Sequence, residues 1–347
     1  MITKSADELR ELVTRVLIDA GASNENARLV AEHLVLANLS GVDTHGVWHL
    51  KGYVKGIKEE QLLPKEQPAI VQETANSAMV TGNWTFGQVS ARYAMQVAID
   101  KAKGQNMAVV GLVQSNHIGR LGHFTEMAAD AGMISMVWAG GYGTENAATF
   151  PYGGAKALLH TNPISIGCPG SGRPAMSFDF ATTALSGVKV ENAFNRGQQL
   201  PPGCIVDKHG NDTTDPKEFF DGGGYKPFGQ HKGWSILMAA EFLGHVFCGS
   251  DAYVDEKRVG SIMRRQGVSM IAIKADLFQP MDEYLRCASK MASQTRDIPP
   301  APGFDKVLMP GDPEQNTRAV RSRDGIPIED DVWQTVVAAA ELVGVTV

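Results

Sequence analysis

Three apolar stretches restrict the fold of this 347-residue chain more than anything else in it. "AMVTG", from Ala78, reads as a short strand, "MAVVGLV" (Met107–Val113) as a buried strand, and "MISMVW" (133–138) as another. Between them, 86–103 and "LGHFTEMAADAG" carry helical patterning. Strand, helix and strand at this spacing make a β-α-β unit, so the class is mixed α/β. Further along, 232–249 reads as an apolar helix and "VSMIAIK" (268–274) as a buried strand. Pro280 opens a helix to Arg296, and a helix over 331–342 closes the chain. At the front, Ser5 with Glu8 forms a capping box for a first helix that Gly21 should end. A second helix is expected over 24–39, with Leu29, Val30, His33, Leu34 and Leu36 near one face, and a third just after Thr44 or His45.

Bulk properties exclude several classes of function. With 32 basic against 38 acidic residues the net charge is −6, which argues against nucleic acid as a partner, since phosphate binding needs a clustered basic face. A single local cation still suffices for a small carboxylate. Cys168, Cys204, Cys248 and Cys287 are scattered, with no Cys-x-x-Cys pair, and read as free thiols in a reducing compartment. The first residues lack a signal-peptide core and no run approaches membrane-spanning length. A cytoplasmic protein without a membrane partner is the expectation.

Four polar constellations can carry chemistry. "SNHIGRLGHF" (115–124) follows a strand and precedes a helix, so Ser115, Asn116 and His117 either converge on a cleft at the carboxyl end of a sheet or merely cap the helix. "HTNPISIGCPG" sets Asn162 before Pro163, which biases it away from helix; by itself this is a structural turn. In "SFDFATTALSGVKV", Asp179 lies in or at the end of a strand, with helix expected from Ala181 to Lys189; a buried carboxylate there needs a partner, and histidine is a natural one. "GQHKGWSI" puts His231 and Lys232 at a helix start, where backbone N–H groups and the helix dipole favour an anion. "GSGRPA" (170–175) imitates a dinucleotide fingerprint but is followed by a strand-like run where a helix is required. In "GVDTHGVWHL", His45 and His49 have the spacing of a helical zinc pair but lack the intervening Glu and a clear third ligand, so no metal is expected.

The order of "GVDTHGVWHL", "TGNWTFGQVSARYAM", "SNHIGRLGHF", "PYGGAKALLHTNPISIGCPG", "FDFATTALSGVKV" and "GQHKGWSILMAAEFLGHVFCG" resembles the malate/L-lactate dehydrogenase type 2 family over nearly the whole chain, to "MPGDPEQ". That family includes ureidoglycolate and sulfolactate dehydrogenases, 2,3-diketogulonate reductase and Δ1-piperideine-2-carboxylate reductase. The resemblance implies a non-Rossmann NAD(P)-binding α/β fold of the L-sulfolactate dehydrogenase-like type, a mixed sheet with an N-terminal helical lobe. It implies NAD or NADP as cofactor, a small carboxylate as substrate, and a homodimer with the active site near the interface. The lobes expected are 1–75 packed with 280–347; 76–120 with 230–279 for substrate and dimer contacts; and 121–229 for the nicotinamide cofactor.

By the same resemblance Thr44 and His45 supply the acid/base, with Asp179 in support, and Asn116 and His117 lie at the substrate and nicotinamide. Asn162, Pro163, Phe178, Asp179, Phe180, Ala181, Thr182, His231, Lys232, Gly233, Gly311 and Asp312 fall along the cofactor. An imidazolium near pH 7 is suited to protonate the alkoxide left when hydride reaches a 2-oxo acid; neutral His45 reverses the step. The alternative chemistry is reduction of a cyclic imine, which needs less proton donation at the acceptor. More remote are a metal-dependent hydrolase built on His45 and His49, and a non-catalytic binding protein. One departure matters: where the family usually carries a carboxylate-clamping Arg, this chain has His49, a weaker cation without the bidentate fork. Arg120 is expected either to take over part of that contact or to face solvent from the next helix. In the first case Arg120→Ala raises the Michaelis constant for carboxylate substrates sharply; an unchanged constant removes Arg120 from the site.

Overall fold

The computed structural model describes residues 1–143, 147–172, 174–258 and 265–347; Arg173 of "GSGRPA" lies outside them. The chain divides into two compact units, 1–136 with 165–178 and 270–347, and 137–164 with 179–269.

The chain forms one seven-stranded sheet, of which Ala69–Glu73, Ser77–Thr81 and Met107–Val113 lie wholly in the first unit. Its spatial order is Ala69–Glu73, Ser77–Thr81, Met107–Val113, Gly267–Lys274, Met133–Gly140, Ile164–Cys168 and Met176–Phe180. The sheet is mixed: Ala69–Glu73 pairs antiparallel with Ser77–Thr81, which runs parallel to Met107–Val113. The helix Gly87–Gln105 connects that parallel pair and turns Ala91, Ala94, Met95 and Ala98 inward. The left-handed residue Asn106 (φ 67°) ends it just before the next strand.

A helical core completes this unit. Ser5 accepts from the Glu8 amide and Glu8 reaches back to the Ser5 amide, so the capping box starts the helix Ala6–Asp19 as expected. Asn24–Leu39 follows, and the two helices bury Leu9, Val13, Val16, Leu17, Val30, Leu34 and Val35 in one cluster with Ile326, Val336 and Ala340 from the C-terminal segments. The strand Ile2–Lys4 pairs with Ile326–Ile328, joining the two ends of the chain. Sequence patterning missed this ribbon, whose strands are three residues each, and the helix Asp312–Asp324, whose apolar residues are few.

The third helix begins at Leu50, later than expected. Asp43–His45 and Val47–His49 form two separate 3₁₀ turns, broken by extended Gly46 (φ −90°, ψ −151°). Asn38 holds the break open: its Oδ1 accepts from the Val47 amide (2.9 Å) and its Nδ2 donates to Asp43 (2.6 Å). A Cβ on residue 46 would come within 2.2 Å of the Asn38 amide, so only glycine fits. In the second unit, 181–186 is irregular and the helix is Gly187–Asn195, packed through Val190 and Ala193 on Ile205 and Tyr225. The expected 232–249 helix is α-helical over His231–Glu241, then widens into a π turn, Phe242–Val246. No helix among the described residues is long and apolar enough to cross a membrane.

Arg120 does not face solvent. It is 3% exposed and its Nη2 donates to Glu126 Oε1 at 2.6 Å, while Arg318 donates to the other carboxylate oxygen at 3.0 Å. Removing the anion from such a pair strands buried positive charge. Glu126→Leu is therefore expected to cost roughly 3–5 kcal/mol of stability, read as a lower urea midpoint; an unchanged midpoint would show that the three groups are not coupled.

Candidate active site

The site residues of the first unit gather where the parallel strands Ser77–Thr81 and Met107–Val113 end. Asn83, Trp84 and Gln114, just past those ends, all adopt left-handed backbone conformations (φ 47°, 58° and 49°), a costly arrangement for non-glycine residues that recurs at functional sites. Asn116 Nδ2 donates to the carbonyls of Trp84 (2.8 Å) and Thr85 (3.0 Å), so its amide braces the loop. At Gly87 the 116–117 backbone passes so close that a Cβ would sit 2.2 Å from both carbonyl oxygens. From the other side, His33 Nε2 accepts the Arg120 amide at 2.9 Å, which leaves the His33 proton on Nδ1 to donate to His123 Nδ1 (2.8 Å).

This bracing presents three imidazoles together. The His45 and His117 rings stack 5.7 Å apart at 21°, His49 lies 4.4 Å from His117, and His49 stacks on Tyr53 at 5.8 Å. Thr44 Oγ1 is 3.0 Å from His45 Nδ1. His49 Nε2 lies 2.9 Å from the Thr44 carbonyl, which only accepts, so that nitrogen carries the His49 proton. Tyr53 Oη meets His117 Nδ1 at 3.0 Å and receives the Gln88 amide at 2.6 Å. Tyr53 and Gln88 escaped the sequence reading; the recurrence of 45, 49 and 53 every four residues was the available signal for Tyr53.

Burial disfavours the charged forms of these rings, and among the described residues no carboxylate offsets it. Burial, then the positive charge of Arg120, brings His45 down to about 4. His49 also falls to about 4, chiefly by burial and the nearness of His45, against the pull of the Thr44 carbonyl. Burial, His49 and His45 press His117 well below the usual value. Burial thus favours the neutral imidazoles at pH 7, against the imidazolium expected from sequence. His49 cannot act as a fixed cation in this state. Arg120 is committed to Glu126 through one nitrogen, yet its charge reaches His45.

The remaining candidates divide between the units. In the first, the Phe178 carbonyl accepts from Ser165 (2.8 Å), and left-handed Gly311 leads to Asp312, which Arg296 clamps at 2.8 and 2.9 Å. In the second, Asn162 Nδ2 donates to Glu241 (2.8 Å), Thr182 Oγ1 donates to the Thr161 and Asn162 carbonyls (2.9 and 3.0 Å), and the Pro163 carbonyl accepts the Ala139 amide (3.1 Å). Asp179 and Ala181 are half-buried, and exposed Phe180 meets Phe228 edge-on at 5.5 Å. His231 and Lys232 are exposed at the start of their helix, after left-handed Gly229 and Gln230. A Cβ at Gly233 would lie 1.6 Å from the Phe228 carbonyl, so the turn before the helix requires glycine. Among the described residues no group of three or more His, Cys, Asp or Glu could hold a metal ion.

A model of the malate/L-lactate dehydrogenase family matches residues 4–337. Hydroxycarboxylate dehydrogenase B of Escherichia coli O157:H7 is 31% identical over 344 residues, 98% of this chain and 94% of that protein. Ureidoglycolate dehydrogenase (NAD(+)) of the same organism is 30% identical over 343 residues, 97% of this chain and 95% of that one. Among solved structures, malate dehydrogenase from Entamoeba histolytica superposes with a TM-score of 0.91 at 26% identity, covering 100% of this chain and 99% of that one.

The depressed histidines have a consequence for stability. His33, His45, His49, His117 and His123 all titrate below 6.5 in the folded chain, so below that pH the unfolded state binds more protons and gains on the native one. His245, raised by Glu241 and Asp251 against its burial, works in the opposite sense. Urea midpoints are therefore expected to hold above pH 6.5 and to fall steadily from there towards about pH 4. A flat profile down to pH 5 would contradict the neutral imidazole cluster.

Proposed function

The chain belongs to the malate/L-lactate dehydrogenase family and is an oxidoreductase of the dehydrogenase class, and from that premise we propose that it interconverts a small 2-hydroxy acid and its 2-oxo acid with NAD or NADP, His45 exchanging the proton. The observation that carries this reading is the stacked pair of neutral rings, His45 and His117, 5.7 Å apart.

The chain's own residues supply the proton chemistry and the anion binding. In the oxidising direction neutral His45 accepts the hydroxyl proton of the substrate. In the reducing direction it must first be protonated. The substrate carboxylate supplies the negative charge the cluster lacks, raising the proton affinity of the buried ring as it binds. Thr44 orients His45 through Nδ1. Arg120 contributes positive potential for the carboxylate, and His49, bound to the Thr44 carbonyl, shapes the pocket as a neutral ring.

The residues at the His231–Glu241 helix start suit a nicotinamide dinucleotide: backbone N–H groups of a first turn, the Lys232 ammonium, and a glycine that lets the turn form suit a pyrophosphate. Lys232 would hold that group, with Thr182 and Asn162 bracing the segment alongside. Bound, the nicotinamide gives or takes the hydride. Asp179 is the proposed support for the charged form of His45. The reading extends to a homodimer with the site near its interface, supported by the family resemblance, and to the cytoplasm, supported by the scattered free cysteines.

The test follows absorbance at the reduced-nicotinamide band with a panel of 2-oxo acids and cyclic imines, using both cofactors. Turnover of a 2-oxo acid, lowered roughly 10²–10⁴-fold by His45→Gln, is expected. Oxidation of neither cofactor across the panel would defeat the reading, and turnover of imines alone would move it to imine reduction.

A further inference from the structure

The reading above leaves Tyr53 and Gln88 without a task, although both are buried, at 7% and 2% exposure. Their hydrogen bonds have a direction. The Gln88 amide nitrogen only donates, so at 2.6 Å the Tyr53 oxygen accepts from it. The Tyr53 hydroxyl proton is then free to point along its other short contact, to His117 Nδ1 at 3.0 Å. A neutral imidazole whose Nδ1 accepts carries its proton on Nε2. Burial keeps the ring in that neutral form, and the neighbouring His49 and His45 would repel its charge.

We propose that Gln88 and Tyr53 are positioning residues that lock His117 as the Nε2–H tautomer, so that His117 gives a hydrogen bond, and no proton, to the substrate oxygen whose proton His45 exchanges. This deepens the dehydrogenase reading and rests on it. Two stacked rings then divide the labour at one oxygen. His45 changes protonation state in each turnover. His117 stays neutral throughout and stabilises the developing alkoxide with a preset donor, which costs no reorganisation when charge appears.

The alternative orientation is equally concrete. Were the amide reversed, its oxygen would accept from Tyr53, the phenol oxygen would accept from His117 Nδ1–H, and Nε2 would face the substrate as a lone pair. One group, the Gln88 amide, thus sets the polarity of the relay.

Histidine ¹⁵N spectra of the full-length protein, with the His117 signals identified by their loss in His117→Gln, decide between them. The expected wild-type pattern has Nε2 protonated and Nδ1 bare. Tyr53→Phe should release the ring to a mixture of tautomers. Gln88→Glu, whose carboxylate only accepts, should reverse the relay and move the proton to Nδ1. In parallel, kcat for 2-oxo acid reduction should fall roughly tenfold in Tyr53→Phe, the net worth of one hydrogen bond, with the KM for the cofactor unchanged. A protonated Nδ1 in the wild type, or a tautomer indifferent to Tyr53→Phe, would overturn the proposal. The expected tautomers in a wild-type protein that turns over nothing would uphold the relay and defeat the dehydrogenase reading alone.

Discussion

Glu126 is the buried carboxylate on which the geometry of the first unit depends. It accepts Arg120 on one oxygen and Arg318 on the other, and Arg318 also donates to Ser40 Oγ at 2.8 Å. Three segments distant in sequence therefore meet at one anion: the end of Asn24–Leu39, the loop that carries Asn116 and His117, and Asp312–Asp324. Burying such charges costs desolvation energy that their attraction only partly offsets, so the cluster is a poor source of net stability. What it contributes is placement. With the Arg120 amide held by His33 and its guanidinium by Glu126, the residues just before it have little freedom. Glu126 in turn is held below its usual carboxylate range by the two arginines, against the opposing effect of burial.

The same unit gathers imidazoles that, among the described residues, have no carboxylate beside them. Among the described residues no group of three or more His, Cys, Asp or Glu could hold a metal ion, so these rings act through their hydrogen bonds and proton affinities. His49 and His117 spend one nitrogen each on the protein, on the Thr44 carbonyl and the Tyr53 hydroxyl, and His45 Nδ1 lies beside Thr44. A neutral cluster of this kind is waiting for negative charge. A carboxylate entering it would alter the proton affinity of every ring at once, so binding and protonation are one coupled event.

How much of this was legible in the sequence depended on how local the cause was. The capping box at Ser5, the strand Met107–Val113 and the helix Asn24–Leu39 follow from spacing alone, and the structure places them as expected. The helix start at Leu50 was not legible, because the break before it comes from the Asn38 side chain reaching across a turn. The π turn at Phe242–Val246 has no periodic signature in a run that is apolar throughout. Among the candidates for chemistry, Thr44, His45, His49 and His117 were named from sequence and lie together. Tyr53 was not, because on a helix one tyrosine facing inward looks like any other core residue. Arg120 shows the limit most clearly: its neighbours in sequence gave no hint of Glu126 and Arg318 as partners.

Gly46 and Gly87 have a consequence for how such a site can change over time. Neither touches a reacting group, yet each marks a place where another part of the chain fills the space a side chain would need: the Asn38 amide at one, the 116–117 carbonyls at the other. Drift at these positions is closed unless two or more residues change together. Trp48, between those fixed points, is half-buried and meets His49 edge-on at 4.9 Å. Single substitutions can therefore alter such a site only away from these two glycines, while its frame stays still.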